Sequence, residues 1–128
     1  MATLVDTGLE YIAKLINGVS VAPFKYIALG SGTTTEATTD TALATEIAAN
    51  GLARAEATCG YESLGKATWT KEFTATADGQ QINEVGIFDA ASGGHCLMRH
   101  KYSSTKALDD TESMTVSIVY TQERKAVA

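Results

Sequence analysis

The sequence predicts a mainly β protein: an antiparallel β-sandwich or barrel-like domain with one or two short helices near the N-terminus. Three observations carry that prediction. Five β-rich runs follow one another between Leu52 and Gln122, and no helical pattern separates the late ones, which disfavours βαβ units. Residues 113–122 alternate with period two, placing Met114, Val116, Ile118 and Tyr120 on one face and Thr115, Ser117, Val119 and Thr121 on the other. Glycine turns punctuate the runs, at Asp78-Gly79 and at Ser92-Gly93-Gly94.

Residues 7–17 read as a short amphipathic helix. Thr7 and Glu10 fit a capping box, in which the threonine oxygen takes an orphan N–H and the glutamate reaches back. Leu9, Ile12, Ala13 and Ile16 recur at helical spacing, and Asn17-Gly18 supplies a left-handed stop. Pro23, the only proline, separates this helix from a first strand over 24–29. A threonine- and glycine-rich loop, 30–40, leads to a second short helix at about 41–49, with Asp40 as N-cap and Asn50-Gly51 as its end.

Strands follow at 52–60, 67–77, 80–88, 95–102 and 113–122. The Asp78-Gly79 pair between two of them is a hairpin signal, because a type I′ turn needs φ > 0 at both central residues. Gly86, inside the 80–88 strand, marks a bulge or a close backbone approach.

At 128 residues the chain reads as one domain, 1–128, with a helix at 7–17, a β-rich body at 24–122 and a mobile tail at 123–128. A hydrophobic content of 45% argues against a disordered chain. The formal charge of −5 supplies no basic face for nucleic acid. No stretch approaches the roughly 18 continuous apolar residues of a membrane span. Asp6 and Glu10 stand where a signal peptide would have its positive and apolar regions, so synthesis and folding in a cytoplasm are expected. Cys59 and Cys96 are too few for a disulfide scaffold and are expected reduced and half-buried.

Candidate chemistry is sparse. Gly30-Ser-Gly32 follows a strand, but no lysine follows for a Walker loop and Thr35 stands where a dinucleotide loop has its third glycine. A flexible surface loop is the expectation. His95 and His100 lie five apart on one strand, hence on opposite faces, and no zinc spacing accompanies Cys96. Asp109, Asp110 and Glu112 lack the alternate spacing of a calcium loop and read as a polar turn. Glu84 sits among apolar residues; if buried it needs a partner, which Lys101, Arg99 or Arg54 could supply as a structural tie. Trp69 and Tyr61 read as core or subunit contacts. No catalytic, cofactor-binding or metal-ligating residue is assigned, and no cofactor is expected.

Three N-terminal pieces carry a resemblance: Leu4-Val-Asp-Thr-Gly8-Leu-Glu-Tyr-Ile-Ala13, Phe24-Lys-Tyr-Ile-Ala-Leu-Gly30-Ser-Gly-Thr and Thr41-Ala-Leu-Ala-Thr-Glu46. With Ile82-Asn-Glu-Val-Gly86-Ile-Phe-Asp89 and the last alternating strand, they resemble small structural proteins of tailed bacteriophages. Similar patterns occur in N-terminal domains of tail-fibre and collar proteins, and in stand-alone virion proteins of the capsid-decoration type. Because the chain stops at Ala128, where a fibre protein continues into a shaft, a head-decoration (cement) protein is the expected function. The alternative is a tail-fibre, collar or other tail-associated component.

The resemblance implies a virion location, a homo-oligomer with trimeric symmetry, and the major capsid protein as partner, or tail and collar proteins in the alternative. Residues 2–9 and 121–128 are the expected arms, disordered in the free protein and ordered on a partner. From another class, a small carbohydrate- or ligand-binding β-sandwich would use loop 30–40 with Tyr61 or Trp69. An enzyme is the weakest class, since no paired groups suited to catalysis can be named.

Overall fold

A computed structural model of the chain describes residues 2–124. In chain order the elements are β1 (Thr3–Leu4), α1 (Asp6–Ile16), β2 (Tyr26–Gly30), β3 (Ala55–Glu56), β4 (Thr58–Ser63), β5 (Lys66–Thr74), β6 (Gln80–Phe88), β7 (Cys96–Leu108) and β8 (Ser113–Thr121). They form two antiparallel sheets, one in the order β1-β7-β6-β2-β3 and one in the order β4-β5-β8. The mainly β expectation therefore holds, with one helix.

The sheets pack face to face over one core. Ile27 and Leu29 of β2, Val85 and Ile87 of β6 and Met98 of β7 meet Trp69 and Phe73 of β5 and Val116 of β8. Trp69 also spends its only polar atom well, since Nε1–H donates to the Phe24 carbonyl at 2.8 Å. Alternation sends Ala28, Phe88 and Cys96 to the other face of the large sheet, where Leu43 and Val5 cover them in a smaller cluster. The large sheet is thus buried on both faces, which explains the nearly unbroken burial of β6 from Ile82 to Phe88.

Helix α1 ends as expected, at Asn17 followed by Gly18 with φ of +80°. Its start differs. Val5 occupies the N-cap with no side-chain hydrogen bond, so the Thr7–Glu10 capping box does not form. The buried face differs too: Leu9 and Ile16 are exposed, while Gly8, Tyr11 and Ile12 turn inwards. Gly8 is what permits this, because a Cβ there would lie 2.2 Å from the Leu97 carbonyl oxygen. Residues 2–9 are not a free arm either, since Thr3 and Leu4 pair with Arg99 and Met98 and Val5 is fully buried. Of the expected tail, Glu123 and Arg124 are exposed and lie outside any strand, and 125–128 lie outside the described residues.

Three further expectations are corrected. The run 52–60 breaks at Ala57, because β3 pairs with β2 in one sheet and β4 with β5 in the other. Asp78-Gly79 makes no hairpin: β5 is flanked by β4 and β8, and β6 by β2 and β7, so the turn carries the chain from one sheet to the other. Only Gly79 has positive φ, and its N–H is held by Asp109 Oδ1 at 3.0 Å while Asp78 Oδ1 takes the Asp110 N–H. The second helix at 41–49 is absent. That segment runs extended beside β2, with Ser31 N–H donating to Thr45 O and Ile47 N–H to Leu29 O.

Candidate assembly surface

The ion pair of Glu84 and Arg99 is structural. Glu84 is fully buried and accepts hydrogen bonds from Arg99 Nε at 2.8 Å and from the N–H groups of Gly32 at 2.9 Å, Ala44 at 2.9 Å and Thr45 at 2.8 Å. Arg99 goes on to Asp40 Oδ2 at 3.0 Å and to the Thr34 carbonyl at 2.6 Å. Every partner comes from residues 31–46 or from the neighbouring strand, so the loop expected to be flexible is laced over the ion pair. Glycine is required at Gly30 and Gly32 because a Cβ at either would lie 2.5 Å from a Glu84 carboxylate atom. The N–H groups of Gly32, Ala44 and Thr45 together cradle an anion, and the anion is the chain's own carboxylate.

The other candidates do not converge. His95 Nδ1 lies 2.9 Å from Asp89 Oδ2, and its Nε2 lies 2.9 Å from the Tyr11 hydroxyl, which fastens α1 to the β6–β7 turn. His100 lies elsewhere, its Nδ1 3.6 Å from Glu36 Oε1 and its ring edge-on to Tyr102. Cys59 is exposed on β4 and Cys96 is buried on β7, so the two thiols are neither alike nor in one sheet. Burial pushes the Cys96 thiol up to about 12. Asp109 and Glu112 close the polar turn before β8, Glu112 Oε1 taking the Asp109 N–H. Trp69 is in the core, Tyr61 is 73% exposed on β4, and loop 30–40 covers the far face of the large sheet. No common sugar site joins these three.

What the fold leaves open is one side of the sandwich. β8 is the edge of the small sheet, and β7 beyond its two-residue pairing with β1 is an edge of the large one. Between them lies a groove of about 430 Å³ lined by Met98, His100 and Tyr102 from β7 and by Met114, Val116 and Ile118 from β8. It continues as a cavity of about 550 Å³ past Leu4, Leu97 and Tyr120. Met114, Ile118 and Tyr120 point into the sandwich yet stay half-buried, because nothing described covers them on this side. Burial raises the Tyr102 hydroxyl above its ordinary range, and Lys106, Thr115 and Ser117 add polar groups to the groove beside these apolar side chains.

Comparison recognises most of the chain. The model of the family described as podophage GP4 fiber I protein gp80 matches residues 10–122, from within α1 to the residue after β8. The chain belongs to this family. It is thus a small tailed-phage virion structural protein related to tail fibres, as the residue patterns implied. A comparison with the curated proteins finds no match. In this gp80-family chain, sequence reasoning found the alternation of β8 but not its edge position, for strand order is set by pairings distant in sequence. The polar residues that a chemical motif would have flagged are spent on holding the fold.

Proposed function

We propose that this chain is a tail-associated structural component of a podophage virion, working by protein–protein binding and not by catalysis. The observation that carries the reading is the family match, whose description is that of a fibre protein. It favours the tail-associated alternative over the capsid-cement role, which no feature of the site singles out. The open side of the sandwich suits the reading physically: a groove of mixed apolar and polar lining flanked by two strand edges binds protein by backbone pairing and burial. The partners are tail or collar proteins and further copies of this chain. Nucleic acid is not among them on the formal charge of −5.

Cryo-electron microscopy of purified virions tests the proposal. Density for this chain on the tail or along an attached fibre is the expected result. Density spread over the icosahedral shell would overturn it in favour of a cement protein. Absence from the particle would remove both.

A further inference from the structure

The edges left open by the two sheets are not alike. β4 carries Glu62 and a register irregularity between Tyr61 and Ser63, β3 is two residues long and ends on Glu56, and the open part of β7 carries Lys101 and Lys106. Charges, brevity and irregularity are the usual guards against unwanted strand pairing. β8 has none of them. Ser113–Thr121 is nine residues long, holds no charge, proline or glycine, and pairs with β5 in unbroken register.

The register also says which backbone groups are free. Ala75 N–H donates to Glu112 O before β8, and Gln122 N–H donates to Gly65 O after it. Bonded and non-bonded pairs alternate along an antiparallel ladder. The even residues of β8 therefore spend their N–H and C=O groups on β5. The odd residues Ser113, Thr115, Ser117, Val119 and Thr121 direct theirs out of the sheet, in a set centred on Ser117.

We propose that β8 pairs antiparallel with β8 of a second copy about a two-fold axis at Ser117, joining two three-stranded sheets into one of six strands. The occupant is a second copy because the strand is complementary to itself. With Ser117 opposite the partner's Ser117, every outward-facing residue meets an outward-facing residue, Thr115 meeting the partner's Val119 and Ser113 the partner's Thr121. A slip of two residues loses one of these pairs. On the core side Met114 meets the partner's Tyr120 and Val116 the partner's Ile118, so apolar side chains lie opposite apolar ones and no like charges oppose each other. Val119, half exposed in the single chain, becomes covered. A two-fold contact must be self-complementary in this way.

This interface deepens the structural reading above, and the two fail separately. Sedimentation across a dilution series reads the interface: the wild-type chain runs at twice its 13.4 kDa mass. Ser117→Lys places two ammonium groups face to face on the axis, and it runs as a single chain with an unchanged circular dichroism spectrum. Ser117→Cys, in a Cys59→Ser background that removes the exposed native thiol, forms a covalent dimer on mild oxidation, since cross-strand bonded pairs hold their Cα atoms about 5.5 Å apart. A wild-type monomer, a trimer, or a dimer unmoved by Ser117→Lys overturns the proposal. If Ser117→Lys fails to fold, the Ser117→Cys variant decides alone, and no covalent dimer overturns it. A monomer in solution combined with tail density on the virion would remove the interface and leave the tail role standing.

Discussion

Glu84 of β6 reaches diagonally across the sheet to Arg99 of β7, past its own register partner Lys101, and the two side chains are 0% and 2% exposed. The pair is also the point at which residues 31–46 are fastened to the sandwich, through three N–H groups on Glu84 and through Asp40 and Thr34 on Arg99. A buried carboxylate that has lost its cation, or a cation that has lost its carboxylate, is costly because water cannot replace the partner.

Removing Glu84 is accordingly expected to be severe. Glu84→Ala takes from Arg99 its fully buried partner and from the N–H groups of Gly32, Ala44 and Thr45 their acceptor, for a loss of about 3–5 kcal/mol. Replacing both charges, as in Glu84→Met with Arg99→Met, does not restore stability here. The N–H groups of Gly32, Ala44 and Thr45 still lose their acceptor, and Asp40 loses its cation. Urea unfolding measures both variants, and a double variant as stable as wild type would refute the role given to the cradle.

Acid should loosen the same region. In Asp40, burial pushes the carboxyl up, but the Ala37 N–H and the Arg99 guanidinium outweigh it and hold the group below its ordinary value of 3.8. In Glu36, burial also pushes up, and the N–H groups of Glu36 and Lys101 with the nearby His100 bring the group below 4.5. A carboxylate depressed in the fold contributes stability that is present above its unfolded pKa and lost as pH falls through the folded one. Stability should therefore be level from about pH 7 to about pH 5 and fall below about pH 4. Asp40→Asn should flatten part of that fall. An acid limb identical in wild type and Asp40→Asn would show that other carboxylates govern it.

The sequence made some of this legible and some not, for a physical reason. β6 lies where alternation and flanking glycines put it, Gln80–Phe88, and β8 ends one residue short of expectation, because both signals are local. That Glu84 needed a partner was legible from its apolar neighbours, but the choice of Arg99 over Arg54 was not. Arg54 forks onto Glu46 instead and lies over the Phe88 ring at 3.8 Å. The alanine-rich run 41–49 has helical propensity, yet Ala44 and Thr45 surrender their N–H groups to a carboxylate about 40 residues away. No local pattern announces such a bond. Asp78-Gly79 failed as a hairpin for the same reason, since its strands had distant partners. Propensity describes what a segment does alone, and these segments are not alone.

Gly8 sets two effects against each other. In an isolated helix Gly→Ala gains about 1 kcal/mol. Here the new Cβ would lie 2.2 Å from Leu97 O and 2.9 Å from Leu97 C, and a strand backbone cannot swing aside as a side chain tip can. Overpacking of about 1–3 kcal/mol therefore outweighs the propensity gain, and Gly8→Ala is expected to be destabilising. Loss of the Tyr11–His95 contact would accompany it, as α1 lifts from β7. Thermal unfolding of the variant checks the sign, and a raised Tm would mean that α1 is not pressed on Leu97 in solution.

The two cysteines give a test of the sheet assignment that needs no mutation. Cys59 lies exposed on β4, where a reagent can reach it, although burial of the group raises its pKa somewhat and slows it at neutral pH. Cys96 is fully buried beneath the smaller cluster, its thiol donates to the Met98 carbonyl, and burial lifts its pKa to about 12. Both its ionisation and its access are closed while the sheets hold. One thiol per folded chain should therefore react with an aromatic disulfide reagent, faster as pH rises, and the second only on unfolding. Adding urea should bring the second reaction in along the same curve that circular dichroism follows. Two thiols reacting together in the native protein would place Cys96 at the surface and contradict the packing of Leu43 and Phe88 over β7.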